Sequence, residues 1–168
     1  LPVGRGKALL GSGGVLTAIL GNWQTSGIAR FSKGTPFTIS APYDVANVGG
    51  SNQRASLVPG QQLLPSGFHQ GPSDWFNPSA VTIFPYTWGN LSRNILSGPG
   101  INDWDLSLLK SIPIKEATRI EFRSEFFNAF NHPQFGQPTS TATSPSLGQI
   151  FTTKLPNRQI QFSLKLMF

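Results

Sequence analysis

Cysteine is absent from the chain, methionine occurs once and histidine twice. Without cysteine there is no disulfide framework, no thiolate zinc site and no cysteine nucleophile. His69 and His132 lie far apart in sequence, so no local histidine metal motif forms, and no metal or other cofactor is expected. Charge is scarce as well: 12% of residues are charged, about half the usual quarter. Long apolar runs are missing, and none approaches the roughly 18–20 residues of a membrane-spanning helix. Turn formers and aromatics are plentiful instead, with 18 Gly, 14 Pro and 13 Phe, a balance that argues against helical bundles and coiled coils. The chain opens Leu1-Pro2-Val3 with no initiator methionine and no signal peptide, as expected of a processed chain or a piece of a longer one. Its 168 residues are otherwise enough for one domain with a core.

Thirteen basic residues against seven acidic ones give a net charge of +6. The basic residues, Arg54 and Arg93 among them, are scattered in ones and twos. A nucleic-acid footprint needs a cluster, so no nucleic-acid partner is expected.

The strongest pattern is at the C-terminus. Ile160, Phe162, Leu164, Leu166 and Phe168 alternate with Gln159, Gln161, Ser163 and Lys165, and only Met167 breaks the period. A period of two predicts a strand and excludes an amphipathic helix. At about 3.4 Å per residue, the Arg158–Phe168 strand is roughly 37 Å long, well beyond the usual length. Two more long strands precede it. In Arg119–Asn131, Ile120, Phe122, Phe126 and Phe130 lie opposite Arg119, Glu121, Arg123 and Glu125. Upstream, Trp104, Leu106, Leu108, Ile112 and Ile114 share a face that Lys110 interrupts.

Lys115–Thr118 is short enough for a hairpin turn between these two strands. Apolar faces must coincide across a hairpin. The best aromatic matching sets Trp104 beside Phe130, Leu108 beside Phe126, Ile112 beside Phe122 and Ile114 beside Ile120. The next tighter register closes a shorter turn but matches the aromatics less well. A fourth strand is expected from Trp23 towards Ile39, with an irregularity or an end near Lys33 because of Gly34 and Pro36. The apolar stretch within Gly13–Gly21 reads as a short helix.

Between the strands, 41–101 and 133–157 are rich in Gly, Pro, Ser and Asn. A loop as long as 41–101 is abnormal in a compact soluble domain. One reading is a secreted or surface β-sandwich that binds carbohydrate or protein through 41–101, with a second layer covering the apolar strand faces. The other is a transmembrane β-barrel, with lipid-facing apolar residues alternating with lumenal polar ones, short turns on one side and long loops on the other. Strand length and the charged face of Arg119–Asn131 favour the barrel, because unpartnered charges are costly in a dry core and ordinary in a wet lumen.

Sites of bond chemistry are hard to find, and no enzyme is expected. Gly4–Lys7 lacks phosphate-loop spacing, with Lys7 followed by Ala8. Asp103 and Asp105 share a strand face and suit a solvated strand end better than a cation. Glu121 and Glu125 share theirs with Arg119 and Arg123, which favours mutual neutralisation over acid/base work. His132 reads as a rim residue. Trp75 and Phe76, beside Asp74 and with His69 nearby in sequence, are candidates for a stacking surface that binds an extracellular ligand, or for packing that holds the loop together. Trp23 and Trp104, near strand ends, suit an interfacial aromatic girdle.

Several segments then carry a specific resemblance: Gly21-Asn22-Trp23-Gln24-Thr25-Ser26-Gly27, Gly34-Thr35-Pro36-Phe37-Thr38, Asn90-Leu91-Ser92-Arg93-Asn94, Gly98-Pro99-Gly100, Trp104-Asp105-Leu106-Ser107, Glu125–Pro133 and the terminal Gln159–Phe168. In this order they resemble the C-terminal end of a TonB-dependent outer-membrane receptor, of the type with an N-terminal carboxypeptidase-regulatory-like domain. The resemblance implies residence in the outer membrane of a Gram-negative-type bacterium and a barrel of about 22 strands. It implies energy-coupled nutrient uptake, and a small-molecule or oligosaccharide ligand at the extracellular loops. It also implies that Phe162, Leu164, Leu166 and Phe168 form the signal read by the barrel assembly machinery. TonB would be engaged only through an N-terminal part outside this chain.

The expected fold is therefore all-β: part of a transmembrane antiparallel β-barrel, with about four to five long strands in a curved open sheet and long extracellular loops. Its segments are a strand end, periplasmic turn and short helix (1–21), a strand (22–40), a long loop (41–101), a hairpin (102–132), a second loop (133–157) and the terminal strand (158–168). Since the smallest transmembrane barrels need about eight strands, the chain is expected to be a fragment.

Overall fold

Sustained alternation becomes long strand. The computed structural model describes residues 8, 15–51, 53–114 and 117–168. Their elements run α1 (Val15–Leu20), β1 (Trp23–Ser32), β2 (Pro36–Phe37), β3 (Ser56–Leu57), a 3-10 turn (Pro78–Ala80), β4 (Val81–Thr82), β5 (Leu96–Ser97), β6 (Ile101–Pro113), β7 (Arg119–Phe127) and β8 (Gln159–Met167). The strand end and turn expected over 1–14, Gly4–Lys7 included, lie outside the described residues apart from residue 8. Lys115 and Glu116 of the hairpin turn also lie outside them.

The four long strands form one sheet in the order β1-β6-β7-β8. β7 pairs antiparallel with both β6 and β8. β1 runs opposite to β6: Ser26 meets Ser107 at 2.7 Å, Arg30 reaches Asp103, and the Asn22 carbonyl accepts from the Ser111 N–H. Each hydrogen-bonded neighbour presents its apolar set on the same side, as a half-apolar sheet requires.

The β6–β7 register is the tighter one, which corrects the pairing expected from aromatic matching. Ile112 lies opposite Ile120, Lys110 opposite Phe122 and Leu108 opposite Ser124. The Ile114 N–H donates to the Thr118 carbonyl at 2.9 Å and closes the turn. Both registers keep the apolar faces aligned, so the hydrophobic pattern does not distinguish them, and the shorter loop has the lower closure entropy. At the far end the expected Trp104–Phe130 pair does form, edge to face with centroids 5.7 Å apart. Asn128, at φ 49°, breaks the ladder there. Its N–H donates to the Asp105 carboxylate, and the Ala129 N–H donates to the Trp104 carbonyl.

Helix α1 ends where Gly21 donates to the Thr17 carbonyl, and Asn22 follows at φ 58°. The Lys110 ammonium donates to the carbonyls of Ile19 and Gly21 at 2.8 and 2.7 Å. Lys110 thus caps the helix C-terminus, where orphan carbonyls and the dipole favour a cation. That contact accounts for a lysine in the middle of an apolar strand face.

Two compact units are present. One comprises Leu1–Arg30, Asn102–His132 and Pro156–Phe168, and the other Phe31–Ile101 with Pro133–Leu155. In the second unit, the segment expected as one strand over 22–40 stops at Ser32, and Pro36–Phe37 pairs separately with Leu96–Ser97. A Cβ on Gly34 would lie 1.5 Å from the Gly98 carbonyl oxygen, so only glycine permits this approach. The 41–101 segment is no structureless loop. It pairs β3 with β4 and supplies Ala55, Leu63, Phe76 and Leu91 to a core shared with Phe37 and Ile39.

Candidate functional site

Along the terminal strand the apolar side of the sheet is bare. Ile160, Phe162, Leu164 and Leu166 are all exposed, Leu164 to 71%, and the terminal Phe168 to 97%. Phe31 and Ile112 add exposed apolar surface from β1 and β6, and Ile114 and Phe130 add more just beyond the ends of β6 and β7. Phe122 and Phe162 stack with centroids 6.1 Å apart. A β-sandwich would cover these side chains with a second layer, and among the described residues no such layer lies over β8. An uncovered apolar patch of this extent is a contact surface for something other than water.

The opposite side is polar and paired. Arg30 reaches Asp103 at 2.8 Å and Asp105 at 3.7 Å. Arg119 meets Glu121 at 3.2 Å and Arg123 meets Glu125 at 3.6 Å. Lys165 stands opposite Glu121 in the ladder. Four cations (Arg30, Arg119, Arg123, Lys165) therefore face four carboxylates (Asp103, Asp105, Glu121, Glu125), and this face is neutral in a chain carrying +6.

Trp23 and Trp104 lie towards opposite ends of the sheet. The Trp23 indole donates to the Ile19 carbonyl at 2.9 Å, and the Lys110 ammonium sits 5.1 Å from its ring centroid. The Trp104 indole donates to Asn102 at 3.0 Å.

The loop residues singled out as ligand contacts take different places. Phe76 is fully buried, with its ring 6.1 Å from that of Phe37. It is a core residue and has no face to offer a ligand, because the loop segment folds around it. Trp75 packs against the same core and donates its indole N–H to the Ser97 carbonyl at 2.8 Å. Asp74 and His69 are exposed. Asp74 borders a cavity of about 320 Å³ with Ser79, Ser144 and Gln149, and neither Trp75 nor His69 lines it.

A larger cleft, about 550 Å³, lies in the second unit and is lined by Thr38, Ser40, Gln53, Arg54, Trp88 and Arg93. Its floor is held by backbone contacts. Ser40 and Arg54 form an antiparallel bridge, and the Leu91 N–H donates to the Ala55 carbonyl. A Cβ on Gly89 would come within 1.8 Å of the Arg54 carbonyl oxygen, so the backbone at Gly89 packs directly on that of Arg54. The Thr38 hydroxyl accepts from the Asn94 N–H at 2.9 Å. Gln53 is buried, accepting from the Ala46 N–H and donating to Asp44. Desolvation raises the Asp44 pKa, but the amides of Val48, Gly49 and Gly50 and the Gln53 side chain together hold its carboxyl below the usual carboxylate range.

Sequence reasoning missed this cleft. Arg54 and Arg93 counted only as scattered charges, and Trp88 as one loop aromatic among several. The signal available was small: Trp88 precedes a glycine, and Arg93 sits in a Gly/Asn-rich stretch.

A sheet with one bare apolar face and one neutral polar face, carried on long strands, defines the wall of a membrane β-barrel. The chain belongs to the outer membrane beta barrel domain family, whose sequence profile matches residues 1–161. Its place is the outer membrane, and the exposed apolar face meets lipid. No curated protein and no solved structure matches the chain.

Proposed function

We propose that the chain forms part of the wall and the extracellular loops of a TonB-dependent receptor, which takes up a scarce nutrient using energy from the inner membrane. The chain itself does no bond chemistry. The observation that supports this reading best is the loop unit. Phe31–Ile101 and Pro133–Leu155 fold around their own core, whereas the β6–β7 connection is a tight turn. Large, structured loops together with short turns suit a barrel that recognises a ligand through its loops. The motif resemblance from Gly21 to Phe168 supplies the coupling to TonB, which barrel geometry alone does not distinguish from passive diffusion.

In the same reading, Phe162, Leu164, Leu166 and Phe168 act as the assembly signal, and Trp23 and Trp104 anchor the two interfaces. The test is uptake by cells carrying the intact receptor, with and without TonB and with and without an uncoupler. Accumulation should need both TonB and the gradient. Uptake that persists without either would make the protein a passive channel.

A further inference from the structure

The arginines of the sheet strands and those of the cleft differ in one respect. In the sheet, Arg30, Arg119 and Arg123 each hold a carboxylate. In the cleft, Arg54 and Arg93 have no carboxylate or other hydrogen-bond partner among the described residues, and both are exposed. Trp88, in the same lining, is 66% exposed, and its indole N–H is likewise unused among the described residues. Among the described residues, no acidic side chain lines the cleft.

We propose that this cleft binds an anionic sugar, with Arg54 and Arg93 taking its carboxylate or sulfate and Trp88 stacking on its ring. The inference rests on the reading of the loop unit as the ligand-facing side of an uptake receptor, and it names the substrate class. Guanidinium forks match carboxylate and sulfate oxygens in bidentate geometry, and two unpaired ones give the cleft a net positive field. An aromatic face suits the apolar C–H face of a pyranose. The Ser40 hydroxyl, also in the lining, offers a donor and an acceptor for a ring hydroxyl. Among the described residues Trp88 is the only large apolar side chain in the lining, and this argues against a greasy aromatic acid, which would need apolar walls. The volume of about 550 Å³ falls in the range of small-molecule sites and suits one or two sugar rings.

The test is titration calorimetry on the intact receptor in detergent micelles at low salt, with digalacturonate, its methyl ester and galactose 6-sulfate as probes. The ester keeps the rings and removes the charge. The acid, the sulfate or both should bind, and the ester should bind at least about tenfold more weakly than the acid if the acid is the ligand. Arg54→Gln and Arg93→Gln should each weaken the charged probe about tenfold, while Arg54→Lys should retain part of the affinity. Trp88→Ala should weaken every probe that binds. Failure of both charged probes to bind, equal binding of ester and acid, or unchanged binding by the arginine variants would overturn the proposal. Equilibrium binding needs neither TonB nor a gradient. Binding that follows this pattern while uptake ignores TonB refutes only the uptake reading. Energised uptake that is indifferent to Arg54→Gln and Arg93→Gln refutes only the sugar site.

Discussion

At the scale of single residues, position in the fold decides which aromatic serves which purpose. Phe76 and Trp88 look alike in sequence, since both are aromatics in a Gly/Pro/Ser-rich stretch. One is fully buried in the loop-unit core, and the other is 66% exposed above a cleft. No local pattern separates them, because the core around Phe76 is assembled from residues as distant as Phe37 and Leu147. Removing the buried ring leaves a cavity that its neighbours fill only in part. Phe76→Ala should therefore cost the loop unit about 3–5 kcal/mol. Hydrogen exchange checks this: amides such as those of Ala55 and Leu91 should exchange far faster in the variant, and unchanged protection would show that Phe76 is dispensable. Lys110 teaches the same lesson. A lysine interrupting an apolar face reads as an anomaly until its contacts with the Ile19 and Gly21 carbonyls are seen.

At the scale of elements, strands were the most legible feature and register the least. Period two placed β7 and β8 within the segments expected for them, because alternation is a direct consequence of strand geometry. Shifting two strands by a whole pair preserves both faces, so aromatic matching predicts a register one pair wider than the one that turn closure sets. The left-handed Asn128 then restored the Trp104–Phe130 contact by breaking the ladder. Such a break depends on one side chain's local preference, and alternation says nothing of it. The two faces of β8 make opposite demands on substitution. Leu164 lies mid-strand on the apolar face, and Ser163 lies beside it on the polar one. Leu164→Arg should destabilise the barrel by about 2–4 kcal/mol, whereas Ser163→Arg should cost much less. Refolding into lipid vesicles in a urea series measures both, and equal costs for the two would contradict the assignment of faces.

At the scale of the whole molecule, low charge and abundant phenylalanine have one explanation. The apolar side chains of the sheet are turned outward to lipid, and the charges of its other face are balanced. The barrel class was legible because lipid imposes the same alternation on every strand. The anion-binding cleft was not, because Thr38, Arg54, Trp88 and Arg93 come together only in the folded loop unit. The central claim is that even-numbered β8 residues face lipid and odd-numbered ones face away from it. The absence of native cysteine in the chain makes this directly measurable by spin labelling. Single cysteines from Gln159 to Phe168, labelled in the membrane-embedded protein, should show oxygen accessibility peaking at Ile160, Phe162, Leu164 and Leu166. A water-soluble relaxant should show the opposite phase. Accessibility without a two-residue period, or with water at the even positions, would contradict the account.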